Sequence, residues 1–306
     1  MQEKQESLKK VYIVAVIFST LIGFSFLGVK ICIKYANTIQ ILVHRYNVAF
    51  FAMLILVLTG IVKVRFKGKS RKNILITAGG YIVFMALQTW GLMYATSIVG
   101  SIMFAVIPIM AKILAGILLG EKSTLIENIF VSLSVASLIF MIVIGAGELT
   151  FSIPGVIILV LSSISMALSN VYMRFVRNEY SPWEICFMIT AIGFVLFNFV
   201  YLIYAVRGGG YRSYFEPFLH KEFIFAVSYL AIACIIASST LVAYMLRYLP
   251  AVKATIFGNV STMISIIAGV IVLGEPLKCY HIICAVLIIL GVVGLSVSGQ
   301  KSIMKK

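Results

Sequence analysis

The chain contains no aspartate; its ten acidic residues are all glutamate. Those glutamates fall at the termini, in connecting segments or at the ends of apolar runs. The paired carboxylates that hold catalytic metals or exchange protons are therefore missing from the interior. Three histidines occur, His44, His220 and His281, and they are scattered. No nucleophile with a neighbouring base is legible, so an enzyme is not expected. The five cysteines, Cys32, Cys186, Cys234, Cys279 and Cys284, are odd in number and lack CxxC spacing. That pattern excludes a disulfide framework and a zinc site and leaves them as small apolar side chains. No cofactor and no metal are expected.

Charge is scarce too. Charged residues make up 11% of the chain and hydrophobic residues 62%. A soluble globule needs a charged skin that this composition does not supply. The lipid bilayer is then the solvent and a partner. A spanning helix takes roughly 20 apolar residues, so 306 residues have room for about ten spans, with nothing over for a separate soluble domain. The net charge of +15 sits in short connections. No basic face is broad enough to follow a phosphate backbone, and nucleic acid is excluded as a partner. Lys9 and Lys10 before an apolar run imitate a signal peptide. No small-residue cleavage site follows, and residues 11–29 are long enough to span, so this run reads as a retained first helix.

What is present is a series of apolar runs at 11–30, 38–62, 73–94, 97–119, 124–145, 154–174, 183–206, 223–246, 251–273 and 279–299. Lysine and arginine concentrate on alternate connections, above all in KVRFKGKSRK (residues 63–72). By the positive-inside rule that loop is cytoplasmic, and so are both termini. The loop could alternatively hold anionic lipid head groups. The longest external connection, 207–222, carries glycines, Pro217 and aromatics, and reads as a compact surface loop or short interfacial helix.

Two apolar runs end in the same phrase, at Gly120-Glu121 and at Gly274-Glu275. Aligning the glutamates sets Ser101 over Thr255 and Gly116 over Val270, and Lys30 falls over Arg174 at a slightly different offset. Five spans per half is an odd number, so the halves cross in opposite senses. The expected fold is an all-α membrane protein with ten transmembrane helices as two inverted five-helix repeats. Residues 1–10 form a cytoplasmic N-terminus, 11–146 the first repeat, 150–299 the second and 300–306 a cytoplasmic C-terminus. Inverted repeats are the architecture of alternating-access transporters, with a site between the halves at mid-bilayer.

At this point the chain resembles the EamA-type transporters of the drug/metabolite transporter superfamily. Pro108 stands about twelve residues before Gly120-Glu121, Arg45 lies in the second span, and Gly274-Glu275-Pro276-Leu277 is followed by LIILGVVG (287–294). Thr262 departs from the pattern, standing where a second-repeat proline is common, which leaves no sign of a helix break in the ninth span. The resemblance implies a ten-helix bundle with a central cavity that moves small metabolites or drugs, often outward.

An ionised side chain at mid-bilayer costs roughly 2.5–3.5 kcal/mol on insertion scales and calls for a reason. Lys112, one turn after Pro108, and Arg45, beside His44, meet that description. Lys253 lies near a span end and can snorkel. Gln88, Trp90, Asn170, Ser239, Tyr244 and Asn259 add amides, an indole and hydroxyls at depth. Each either bonds across helices or touches substrate. Pro108 frees a carbonyl near residue 104, either for a ligand or as a bend. The candidate substrate-binding set is Arg45, Gln88, Trp90, Pro108, Lys112, Asn170, Tyr244 and Asn259. Glu121 and Glu275 suit the positive end of the helix that follows each of them. Base without acid at depth favours a small-molecule substrate that bears a carboxylate or phosphate, or is amino-acid-like. Its movement would be downhill or by exchange unless His44 carries a proton. A lipid or lipid-linked sugar flippase on the same fold is the alternative.

Overall fold

The computed structural model describes the backbone of residues 2–66, 69, 71–119, 124–145, 152–176, 178–209, 212–248 and 251–303. The Gly120-Glu121 turn, Lys122, Arg177 and the side chain of Lys253 lie outside the described residues.

The first span is α1 (Gln2–Gly23) and α2 (Ser25–Ile33), meeting at Phe24. α3 (Thr38–Leu58) and α4 (Arg71–Gly91) follow. The fourth span is two pieces, α5 (Ser97–Ala105) and α6 (Ile107–Leu119). α7 (Leu125–Gly145), α8 (Ile153–Val176) and α9 (Pro182–Tyr204) come next. The eighth span joins α10 (Lys221–Ala231) to α11 (Ser238–Tyr248) through a π-helical turn, Ile232–Ala237. α12 (Ala251–Leu273) and α13 (Cys279–Ile303) complete the chain. Eight helical stretches are long and apolar enough to cross a bilayer, and two shorter apolar ones, Phe257–Leu273 and Cys279–Gly294, bring the number to ten. Among the described residues there is no strand.

Local chemistry sets the boundaries. Asn37 and Gln40 form a reciprocal capping box that starts α3, and Ser181 and Glu184 form another that starts α9, with Pro182 in its first turn. The fourth span breaks at Val106 because Pro108 has no N–H to continue the ladder. Shorter bonds bridge the gap, from Val106 N to the Met103 carbonyl and from Ile109 N to the Val106 carbonyl. α12 has Thr262 at the corresponding place and runs through unbroken. Its hydroxyl reaches across to the Ser101 carbonyl at 3.0 Å.

The packing repeats itself when each span n is exchanged with span n+5. α3 packs on α9, α5 on α12 and α7 on α13, each pair being its own counterpart. The α4–α8 contact is matched by α1 and α2 against α10 and α11. Single bonds obey the same exchange. Ser19 Oγ donates to the Phe257 carbonyl at 2.7 Å, and Ser163 Oγ to the Met103 carbonyl at 2.8 Å. Ser19 and Ser163 stand 144 residues apart, as Lys30 and Arg174 do; Met103 and Phe257 stand 154 apart, as Glu121 and Glu275 do. The chain is an all-α membrane protein of ten spans in two inverted repeats.

Further cross-span polar contacts lie at each end of the bundle. At one end Lys69 pairs with Glu184 at 2.7 Å, and Lys112 lies 3.6 Å from Glu127. At the other, Lys30 Nζ donates to the Leu92 carbonyl at 2.7 Å, and Tyr35 stacks on His220 with ring centroids 4.4 Å apart. The ends that meet are those that alternate crossing places on one side.

Candidate substrate cavity

A cavity of ≈ 20 Å³ lies among the first, second, third, fourth, sixth and eighth spans. That is room for about one water molecule. Its polar lining is Arg45, Gln88, Tyr81, Ser25 and Ser238. Its apolar lining includes Phe18, Phe84, Phe104, Met85 and Met166.

Arg45 dominates the chemistry. It is 0% exposed. Its Nε donates to the Leu230 carbonyl at 3.2 Å, while Nη1 has no hydrogen-bond partner among the described residues. The described ion pairs, Lys69–Glu184 and Lys112–Glu127, lie elsewhere. A guanidinium held by one edge keeps donors in the fork geometry that suits a carboxylate.

The eighth span explains how Arg45 is held. Leu230 lies two residues before the π-helical turn, in the last turn of α10, and π-turns are frequent at functional sites. Three carbonyls in this stretch accept bonds from other spans: Leu230 from Arg45, Cys234 from Tyr81 OH at 3.0 Å, and Ile236 from Cys186 Sγ at 3.8 Å. The third and seventh spans are thereby tied to the irregular turn, and the second span to the end of α10 just before it. Behind Arg45, the Tyr46 ring fills the space where a Cβ on Gly193 would stand, so α3 and α9 approach closely.

Of the sequence-based candidates, Arg45 and Gln88 line this cavity. Trp90 does not: it is 46% exposed on the outside of the bundle. Two residues along a helix turn about 200°, so Gln88 and Trp90 point to opposite faces. Lys112 reaches the first turn of α7 instead, where Glu127 forms a capping box with Thr124 and neutralises it. Pro108 is buried and acts through the backbone, breaking the fourth span. Tyr244 is half-buried against Tyr248, ring centroids 4.9 Å apart. Asn170 and Asn259 are buried outside the lining, and Asn170 Oδ1 and both amide atoms of Asn259 have no partner among the described residues. His44 turns away from Arg45, edge-on to Tyr214 and Phe218 at 4.5 and 4.6 Å. Ser239 is buried and bonds back to the Ile236 carbonyl.

Glu275 also departs from expectation. Its carboxylate serves a helix N-terminus, but that of α5 rather than the helix that follows it. It accepts from Ser97 N at 2.8 Å, Ser97 Oγ at 2.7 Å and Ile98 N at 3.1 Å.

Sequence reasoning missed Tyr81, Ser25 and Ser238. A tyrosine or serine in an apolar run is too common to stand out. Only the shared turn in the eighth span brings Tyr81 and Ser238 together.

Residues 9–143 and 153–297 each match the EamA-like transporter family. The chain is 36% identical over 292 residues to the uncharacterized transporter YcxC of Bacillus subtilis (strain 168), covering 95% of this chain and 94% of that one. It is 26% identical over 305 residues to the uncharacterized transporter YyaM of the same organism, covering 96% and 95%. A solved structure described as "Crystal structure of protein" superposes with a TM-score of 0.66 at 14% identity, over 96% of this chain and 98% of that chain. At that identity the likeness shows the fold alone.

Proposed function

The chain belongs to the EamA-like transporter family, and from that premise we propose that it carries a small carboxylate-bearing metabolite out of the cell by alternating access through the Arg45 cavity. The observation that carries this reading is the buried guanidinium of Arg45, with no ion pair and no partner for Nη1 among the described residues. A desolvated cation without an acid beside it is costly, and a visiting carboxylate offsets that cost. The cavity, closed to about the size of one water, supports a cycle in which the repeats must rock for cargo to enter. It gives no support to a lipid-sized groove. Lys112, paired with Glu127, is not assigned to the substrate.

The test is flux into proteoliposomes holding the purified full chain. Saturable uptake of small carboxylates, with no uptake of cationic amines, is the expected result. Preference for amines or uncharged solutes would overturn the reading.

The proposed location is the cell membrane with both termini cytoplasmic, supported by the basic 63–72 loop. Native Cys279 is exposed on the end assigned to the outside. It is expected to react with an impermeant maleimide in intact cells, whereas a cysteine at Lys63 reacts only after permeabilisation. The reverse pattern would invert the topology.

A further inference from the structure

Two matched contacts tie the repeats together, one at each end of the bundle. The second span opens with the capping box of Asn37 and Gln40, and the seventh with that of Ser181 and Glu184. Each member of the first box stands 144 residues before its counterpart, as Lys30 does before Arg174. Inversion puts the two boxes at opposite ends. In each box the glutamine or glutamate does a second job. Gln40 Oε1 accepts from Asn37 N at 2.9 Å, and its Nε2 donates to the Ser213 carbonyl at 2.7 Å. Glu184 Oε2 accepts from Ser181 N at 2.8 Å, and its Oε1 accepts from Arg65 N and from Lys69 Nζ, each at 2.8 Å. Ser213 belongs to the loop between the seventh and eighth spans, and Arg65 and Lys69 to the loop between the second and third. A helix start in one repeat therefore holds a loop of the other, and the same pattern recurs with the repeats exchanged.

Rings reinforce both contacts. Tyr214 and Phe218 stand edge-on to His44, and Asn47 Nδ2 donates to Tyr214 OH at 2.7 Å. Phe66 lies 6.0 Å from the Phe187 ring, and Lys69 Nζ sits 4.9 Å over that of Tyr180. Each held loop leads into a span that lines the cavity. Arg65 and Lys69 precede α4, which carries Tyr81, Met85 and Gln88; Ser213 and Tyr214 precede α10 and the π-helical turn with Cys234. Opening one end requires the repeats to part there, and these contacts cross that seam. Their chemistry differs. Glu184 makes an ion pair and charge-assisted bonds, whereas Gln40 makes a neutral amide bond.

We propose that the two contacts are clasps released in turn. Parting Glu184 from Arg65 and Lys69 opens the cavity to the cytoplasm, and parting Gln40 from Ser213 opens it to the outside. With both made and Arg45 0% exposed, the structure is the closed state between them. This rests on alternating access and on the proposed orientation, and it does not depend on what the cargo is.

Two substitutions undo the clasps and keep the caps. Glu184→Gln retains an oxygen to cap α9, as Gln40 does for α3, and turns its amide donor toward Arg65 N and Lys69. Gln40→Glu retains the cap of α3 and turns a carboxylate oxygen toward the Ser213 carbonyl. The readout is native Cys234, 0% exposed in the cavity lining. Its reaction with an impermeant anionic methanethiosulfonate is followed by peptide mass spectrometry, in intact cells for the outer face and in inside-out vesicles for the cytoplasmic face. Glu184→Gln should raise the cytoplasmic rate about tenfold, and Gln40→Glu the outer rate about fivefold, the population changes that loss of one charge-assisted and one neutral bond bring. In each variant the rate from the other face should not rise. Lys69→Met and Tyr214→Phe test the same clasps should either substitution prevent folding. Unchanged rates in all the variants make the contacts static struts and overturn the inference, leaving alternating access to other contacts. One variant opening Cys234 to both faces overturns alternating access, and the clasps fall with it. Faces exchanged between the variants uphold the clasps and overturn the orientation.

Discussion

Arg45→Met should reduce carboxylate flux a hundredfold or more and at the same time make the protein harder to unfold. The two effects have one cause. Arg45 is 0% exposed, bonds one backbone carbonyl and, among the described residues, leaves Nη1 without a partner. Replacing even a paired buried charge and its partner by apolar side chains of similar volume is often neutral or stabilising, by about 1–4 kcal/mol, and Arg45 has no described ion pair to lose. Methionine fills the irregular space without a charge to bury. The protein should therefore gain stability, while on the proposed reading a carboxylate cargo loses its charge-assisted bonds. Natural sites keep such costs where function needs them. Two measurements decide the matter: initial rates of carboxylate uptake, and thermal unfolding of the detergent-solubilised protein. Normal uptake would remove Arg45 from the site. Uptake lost together with a large fall in unfolding temperature would make Arg45 a structural strut.

How much of this was legible beforehand depends on what each inference rests on. Span number and inversion follow from hydrophobic length and the repeated Gly-Glu phrase, which are one-dimensional signals, and the bundle agrees with both. Arg45 stood out because charge at depth is rare. Lys112 stood out for the same reason, yet its partner Glu127 sits at the opening of the next helix, where a glutamate looks like an ordinary cap. Pairing between neighbouring spans depends on helix rotation, which hydrophobic runs leave unspecified because lipid-facing and core-facing residues are both apolar. The same indifference hid the faces of Gln88 and Trp90. The π-turn was not visible at all: IACIIA has no proline and no glycine, and the bonds that its Cys234 and Ile236 carbonyls accept from Tyr81 and Cys186 come from spans far away in the chain.

Glu275→Ala should loosen the end of the bundle where α5 begins and cost roughly 2–4 kcal/mol, since a buried donor that loses a charged acceptor bears its full desolvation penalty. Three donors are affected: Ser97 N, Ser97 Oγ and Ile98 N. Ser97 is 0% exposed, so water does not replace the carboxylate without the helix ends parting. Gly269 shows how tight the joint is, because a Cβ there would stand 2.6 Å from Ser97 Oγ and 3.0 Å from Glu275 Oε2. The contact links the turn between α12 and α13 to the start of α5, and so joins the fourth span of the first repeat to the turn between the last two spans of the second. Glu275→Gln keeps an acceptor oxygen and should lose about half as much; Ser97→Ala removes one neutral donor and should lose about 1 kcal/mol. Thermal unfolding ranks the three variants. Labelling of a cysteine at Ser101, one turn deeper, reports whether the end has opened: the rate should rise in Glu275→Ala and rise less in Glu275→Gln. If all three variants melt with the unaltered protein and the Ser101 site stays protected, the glutamate does not hold this end shut, and closure must come from the apolar packing of α5 on α12 instead.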